Sequence, residues 1–351
     1  MIVGIDIHKH SHTAALLDER GGELGTLRFA NTRDGVQWLR RWLLEHDAAD
    51  AVIGVENAAG YGRLVCAALS SAGHEVLNVP AWRTHRDRHT SGPGKSDPGD
   101  AVAIAHVVLR KRERLGAALE PELIRAIALL ETLRRQFVGD RTQAIQRLRA
   151  IWTQVDPEAE ARVAHVHRHE ALRRLKRITL GDGPAADAAA RCLRELAGEI
   201  ERLTNRITGL EHDLAALLDE HGNPLAELPG AGPAVAAAVI AHAGDVRRFH
   251  GPAAFARFCG AAPIPCGSGQ TAERHRLHRG GNRQMNAALH RIAVVQARVH
   301  PAARDYLHRR RSEGKTAREA RRALKRHLAN VLYRRLHAWA HQTLPHPPLL
   351  T

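Results

Sequence analysis

Residues 94–105 read GKSDPGDAVAIA, and their reading decides how the first third of the chain folds. Asp97 and Asp100 stand three residues apart at the start of a helix, and an (i, i+3) pair shares one helix face. Both carboxylates can therefore address a single spot. The same residues also make an ordinary helix start, with Asp97 as N-cap, Pro98 at the first helical position and Asp100 in an acidic first turn. The choice depends on whether other carboxylates arrive at the same place.

The preceding residues supply the surroundings. IVGIDI (2–7) is a β-branched run, TAALLD ends at the turn formers ERGG, and GELGTLRFAN gives a third strand. VQWLRRWLLEH has helical spacing through Val36, Leu39, Leu43 and Leu44. AVIGVEN is a buried strand ending at Glu56, RLVCAALSSAG a helix closed by Gly73, and HEVLNVP another strand. With the aspartate helix, the order is β-β-β-α-β-α-β-α. It predicts a mixed α/β sheet, three antiparallel strands extended by parallel ones with helices on its faces. This is the order of the RNase H-like (RuvC-like) fold.

That order gives the carboxylates their meaning. Asp6 lies in the first strand and Glu56 at the carboxyl end of the fourth, where ligands of open α/β sheets gather. The two strands are neighbours in this topology. If the helix of Asp97 and Asp100 packs across that edge, four carboxylates converge, and they cannot all stay ionised without a cation. Hard oxygen ligands suit Mg²⁺ or Mn²⁺. Two such ions about 3.5–4 Å apart can activate an attacking oxygen and stabilise a leaving one in phosphoryl transfer. His8, His10 and His12 alternate and would share one face of a strand. A three-histidine metal site is conceivable, but a polar hairpin rim near the acidic site is the preferred reading.

Composition narrows the partners. The 351-residue chain carries a net charge of +15, which favours a polyanion such as nucleic acid. Residues 1–100 hold 11 Lys or Arg against 13 Asp or Glu, while residues 271–351 hold 18 against 4, so the partner lies on the later part. The four cysteines are scattered without a C-x-x-C, against both a disulfide framework and a cysteine zinc site. No run approaches the roughly 18–20 apolar residues of a membrane span, and MIVGIDIHKH lacks the charged start and long apolar stretch of a signal peptide. The expectation is a cytoplasmic, nucleoid-associated protein with no membrane partner.

GIDIHKHSHTAALLDERG, VENAAGYG and GKSDPGDAVAIA together resemble the DEDD-type insertion-sequence transposases of the one-ten family, whose catalytic domain is RuvC-like. The resemblance runs over nearly the whole chain and puts the DEDD positions on Asp6, Glu56, Asp97 and Asp100.

The later segments follow in the same order. Residues 101–180 are helical and basic, with apolar stripes from Leu123 to Phe137 and from Ile145 to Val155. Arg134, Arg135, Arg141, Arg147 and Arg149 are either a solvated face or one that tracks phosphates. Leu193, Leu196, Ile200, Leu203, Ile207, Leu210, Leu214 and Leu217 alternate spacings of three and four, an a/d seam. It fits a helical hairpin with residues 123–155, or the self-associating coiled coil (dimer or tetramer) that the resemblance implies, which is favoured. LPGAGP (228–233) resembles a helix-hairpin-helix turn whose Gly230 and Gly232 region offers N–H groups to phosphate, or is a plain tight turn.

FARFCGAAPIPCGSGQTAERHRLHRGGNR places Ser268 between glycines, followed by Arg274, Arg276, Arg279 and Arg283 as candidate phosphate ligands. A serine in a glycine turn is usually just a turn residue. The resemblance raises it to a nucleophile, because the family carries P-x-x-SG followed by basic residues and GN-R. In the final helices, Ala323, Leu324, His327, Leu328, Val331 and Leu332 form an apolar stripe beneath an arginine-rich face.

Three domains are expected: a RuvC-like catalytic domain over 1–115, a helical and coiled-coil region over 116–222, and a C-terminal transposase domain over 223–345. The resemblance implies DNA strand exchange guided by a structured bridge RNA, with Ser268 as nucleophile and Mg²⁺ at the four acids. The alternatives are a structure-selective nuclease that uses water and a non-catalytic nucleic-acid-binding protein. The latter has no need of four convergent acids.

Overall fold

The computed structural model describes residues 1–56, 58, 60–81, 84, 97–155, 166, 168–265, 275–277 and 280–345. They form two compact units, the first built mainly from Met1–Pro121 and the second from Glu122–Val246 with Gly251–Thr343.

In the first unit, β1 (Ile2–Ile7), β2 (Ser11–Leu17) and β3 (Glu23–Ala30) form an antiparallel meander. Beyond β1 lie β4 (Val52–Val55), parallel to β1, β5 (Val76–Asn78), parallel to β4, and the short β6 (Gly116–Ala117), antiparallel to β5. The resulting order is β3-β2-β1-β4-β5-β6. This is the expected mixed, RNase H-like sheet; only β6, two residues long, carries no pattern by which to find it.

Both sheet faces are covered. Val3, Ile5 and Ile7, alternating on β1, share one core with Val36, Leu39, Trp42 and Leu43 of α1 (Arg33–Glu45) and with Val65, Cys66 and Leu69 of α2 (Arg63–Ser71). Thr32 caps α1 by accepting the Gly35 N–H at 3.1 Å. Leu44 is not part of the buried stripe: it is 64% exposed, and Trp42 packs in the core instead. The opposite face carries α3 (Asp97–Lys111), whose Ile104, Val107 and Val108 pack with Leu77 and Val79.

Among the described residues, the second unit is helical apart from one two-stranded ribbon. Its longest elements are α4 (Glu122–Val155) and α6 (Pro184–Glu220), with the short α5 (His169–Leu175) packed beside them. Arg134 reaches Glu211 while Arg141 reaches Thr204, so the two long helices run antiparallel within one chain. Every seventh residue of the seam, Leu193, Ile200, Ile207 and Leu214, is buried, whereas Leu196, Leu203, Leu210 and Leu217 are half-buried. The hairpin reading thus accounts for the buried half of the seam and for Leu196, which packs against the core shared with α4.

Arg134 belongs to neither of the faces expected of it. It is buried against Glu131, with Nε to Oε2 at 2.6 Å, and also bonds Glu211 at 3.2 Å. These carboxylates hold the guanidinium proton even more firmly than usual.

The remaining helices are α7 (Pro233–Ala243), α8 (Pro252–Phe258), α9 (Arg283–Val299), α10 (Pro301–Ser312) and α11 (Ala317–Thr343). The ribbon pairs β7 (Pro263–Pro265) with β8 (His275–Leu277). On α11 the buried stripe runs through Ala320, Leu324, Leu328, Leu332 and Leu336. His327 is exposed, and the basic residue beneath the surface is Lys325. No helix among the described residues is long and apolar enough to cross a membrane.

Candidate active site

Two glycines set the geometry of the acidic site. Gly4 of β1 lies opposite Gly54 of β4 in the parallel register, and Asp6 and Glu56 each follow two residues later. The ladder ends there with the Glu56 N–H donating to the Ile5 carbonyl at 3.4 Å. Helix α3 lies directly on the glycines. A Cβ on Gly4 would stand 2.1 Å from the Ala101 carbonyl oxygen, and one on Gly54 would stand 2.3 Å from Val108 Cγ2. Any side chain at either position would lift the helix. The first turn of α3, with Asp97 and Asp100, is thereby held at the end of β1.

The carboxylates feel one another at this point. Asp6 is pushed above the usual aspartate range, chiefly by burial and further by the negative charges of Asp100, Glu56 and Asp97, while His8 opposes the shift. Asp100 is itself buried, and Asp97 is half exposed at the rim. Glu56 Oε2 accepts a hydrogen bond at 2.8 Å from the fully buried Thr84 hydroxyl, which also lies 2.8 Å from the Ala81 carbonyl. Thr84 orients Glu56, and nothing in its sequence surroundings announces it.

The three histidines do not share a face, because β1 ends at Ile7 and β2 begins at Ser11. His10 is exposed, whereas His12 is buried edge-on against Phe29, in the core on the α1 side. His12 Nδ1 accepts the His8 backbone N–H at 3.3 Å and so pins the turn. Only His8 joins the acids, with Nδ1 3.6 Å from Asp6 Oδ2 and Nε2 3.9 Å from Asp97 Oδ1. Donor atoms from Asp6, His8 and Asp97 all lie within 4.8 Å of one another, the spacing that one cation can bridge. Ligands of an octahedral ion at about 2.1 Å stand roughly 3–4.2 Å apart. This donor set, with Glu56 and Asp100 behind it, fits a divalent metal.

In the second unit, the expected phosphate-binding residues have different surroundings. Gly230 has a φ of +88°, and a Cβ there would fall 2.9 Å from Val295, so the turn is wedged against α9. Buried Gln296 holds that turn by donating to the Pro229 carbonyl at 3.1 Å. Gly232 faces open space, and Arg283 is exposed on the first turn of α9. Arg276 lies on β8. Ser268, Arg274 and Arg279 lie outside the described residues.

The base of the ribbon is tightly built. Asn282 caps α9, and a Cβ on Gly281 would come within 2.3 Å of Gly260. Asn286 donates to the carbonyls of Cys259 and Gly260 at 3.1 and 3.0 Å, and Lys325 donates to Asn286 at 2.5 Å. GGNR is therefore a packing and capping motif at this point, which its glycine spacing alone does not reveal.

The DEDD transposase model of the IS110 family matches residues 3–157, and the transposase IS116/IS110/IS902 family model matches residues 222–308. The chain is 30% identical to the "Mini-circle putative transposase for IS117" of Streptomyces coelicolor, over 95% of this chain and 92% of that protein. It belongs to the IS110 family of transposases. The chain is also 27% identical to the insertion element IS116 44.8 kDa protein of Streptomyces clavuligerus, over 94% and 93% of the two chains. To the insertion element IS900 42 kDa protein of Mycobacterium paratuberculosis it is 26% identical, over 94% of each. As an IS110-family member the chain carries a DEDD, RuvC-like N-terminal region and a distinct C-terminal transposase region.

Proposed function

We propose that this transposase exchanges DNA strands at a site formed by Asp6, Glu56, Asp97 and Asp100, with Ser268 as the nucleophile. The observation that carries the reading is the placement of the first turn of α3 over the paired ends of β1 and β4, where Asp6 senses the other three acids. Family membership supports a divalent cation at these residues. When bound, Mg²⁺ or Mn²⁺, as two ions, supplies charge neutralisation at the phosphate and stabilises a departing 3′ oxygen.

The chain's own residues divide the remaining work. Buried Asp100 and partly buried Asp6 form the floor of the site, Asp97 its exposed rim, and Thr84 fixes the carboxylate of Glu56. The Ser268 oxygen bonds to the scissile phosphorus as the P–O3′ bond breaks; serine gives up its proton and the 3′ oxygen gains one. The phosphoserine ester conserves the bond energy, so the strand can rejoin a new partner without a nucleotide cofactor. The net +15 charge suits a DNA duplex together with a structured guide RNA. The RNA and a dimer or tetramer built on the half-buried seam residues of α6 are part of this reading and rest on the family resemblance.

A denaturing gel with end-labelled junction DNA tests the nucleophile. Wild type should give a slow-migrating protein–DNA adduct in Mg²⁺, and Ser268→Ala should bind DNA but give none. Cleavage without an adduct in both proteins would make water the nucleophile.

A further inference from the structure

His8 is not one of the four acids, yet it is placed among them. Its two ring nitrogens lie 3.6 Å from Asp6 and 3.9 Å from Asp97, too far for hydrogen bonds, which require about 2.7–3.2 Å. One ring nitrogen of His8 and one carboxylate oxygen each of Asp6 and Asp97 lie within 4.8 Å of one another, close enough for a single cation to draw them together as ligands. The ring is not held there by a direct bond to either carboxylate. Instead the backbone places it: the His8 N–H is bonded to the buried His12, and β1 ends one residue before it. Asp6 points into the site from 14% exposure, while His8 and Asp97 are about half exposed, so the three donors line an opening that solvent and ions can enter.

We propose that His8 is a nitrogen ligand of the cation site and makes it prefer Mn²⁺ to Mg²⁺. Mg²⁺ takes oxygen ligands in near-ideal octahedral geometry and dehydrates reluctantly. Imidazole adds little to its binding but strengthens that of first-row transition ions. The inference rests on the acidic site being a cation site, and its test separates the two claims.

The test uses the full-length protein loaded with Mn²⁺. Spin-echo electron paramagnetic resonance should detect ¹⁴N modulation from a coordinated histidine nitrogen, and His8→Ala should abolish it. Titration should show Mn²⁺ affinity falling about tenfold in His8→Ala, with Mg²⁺ affinity changed less than about twofold. His8→Asp, which restores an oxygen ligand, should bring the Mn²⁺ to Mg²⁺ preference down to that of an all-oxygen site. If Mn²⁺ binding is lost in Asp6→Asn but the wild type shows no ¹⁴N modulation, His8 is not a ligand and the inference falls alone. If Mn²⁺ binding is unaffected by Asp6→Asn and Asp97→Asn, the acidic site is not a cation site, and the inference falls with the proposed function.

Discussion

A methyl group on Gly4 would stand 2.1 Å from the carbonyl oxygen of Ala101, so the glycine lets helix α3 rest on the sheet. Gly4→Ala should therefore displace the helix that carries Asp97 and Asp100 while leaving all four acids in the chain. We expect a loss of about 1–3 kcal/mol from overpacking, together with loss of metal affinity. Gly209→Ala, on α6 with open space around it, should instead stabilise by about 0.5–1 kcal/mol. Chemical denaturation of both variants checks the contrast.

Asp6 exerts opposite effects on folding and function. Its raised carboxyl pKa means that the folded protein binds the proton more tightly than the unfolded chain. The favourable contribution is present below the unfolded aspartate value, near 3.9, and is lost as pH rises through the folded value. At neutral pH without metal, ionised Asp6 destabilises the fold. Asp6→Asn should raise the melting temperature at pH 7, with the gain shrinking at acid pH, and should still abolish strand exchange. Thermal melts across pH in chelator test the stability half.

The Glu131–Arg134 pair is nearly inaccessible to water. Removing one partner leaves the other charge buried, so Glu131→Ala should cost about 3–5 kcal/mol. Glu211 is more exposed and makes the longer contact with Arg134; Glu211→Ala should cost much less. Denaturant midpoints of the two variants give the comparison.

Seam substitutions distinguish packing within the chain from self-association. Ile207→Ala, at a buried seam position, should lose about 2–5 kcal/mol. Leu203→Glu with Leu210→Glu, at half-buried positions, should leave the monomer folded and reduce the mass seen by light scattering. An unchanged mass with a lower melting temperature would assign those leucines to the chain's own core.

Strands β1 to β5 were legible as short β-branched or apolar runs bounded by turn formers, Asp6 and Glu56 from their places near strand ends, and Asp97 and Asp100 from the helix start. The paired G-x-D and G-x-E spacings were visible too, but only the register of β1 on β4 shows that both glycines seat one helix. Residues whose role depends on long-range contacts could not be read. Thr84 meets Glu56 across 28 positions, and Lys325 meets Asn286 across 39. His8 looked equivalent to His10 and His12 until the strand ended at Ile7 and sent the three in different directions.

Asp100 tests the central claim most directly, since it is buried, raises the Asp6 pKa by its charge, and lies in the first turn of the helix that Gly4 admits. Wild type and Asp100→Asn should be incubated with end-labelled junction DNA in Mg²⁺ and in Mn²⁺, with DNA binding and melting temperature measured in parallel. The account predicts a folded variant that binds DNA as wild type does yet neither cleaves nor exchanges strands in either metal. Cleavage by Asp100→Asn at the wild-type rate would contradict it.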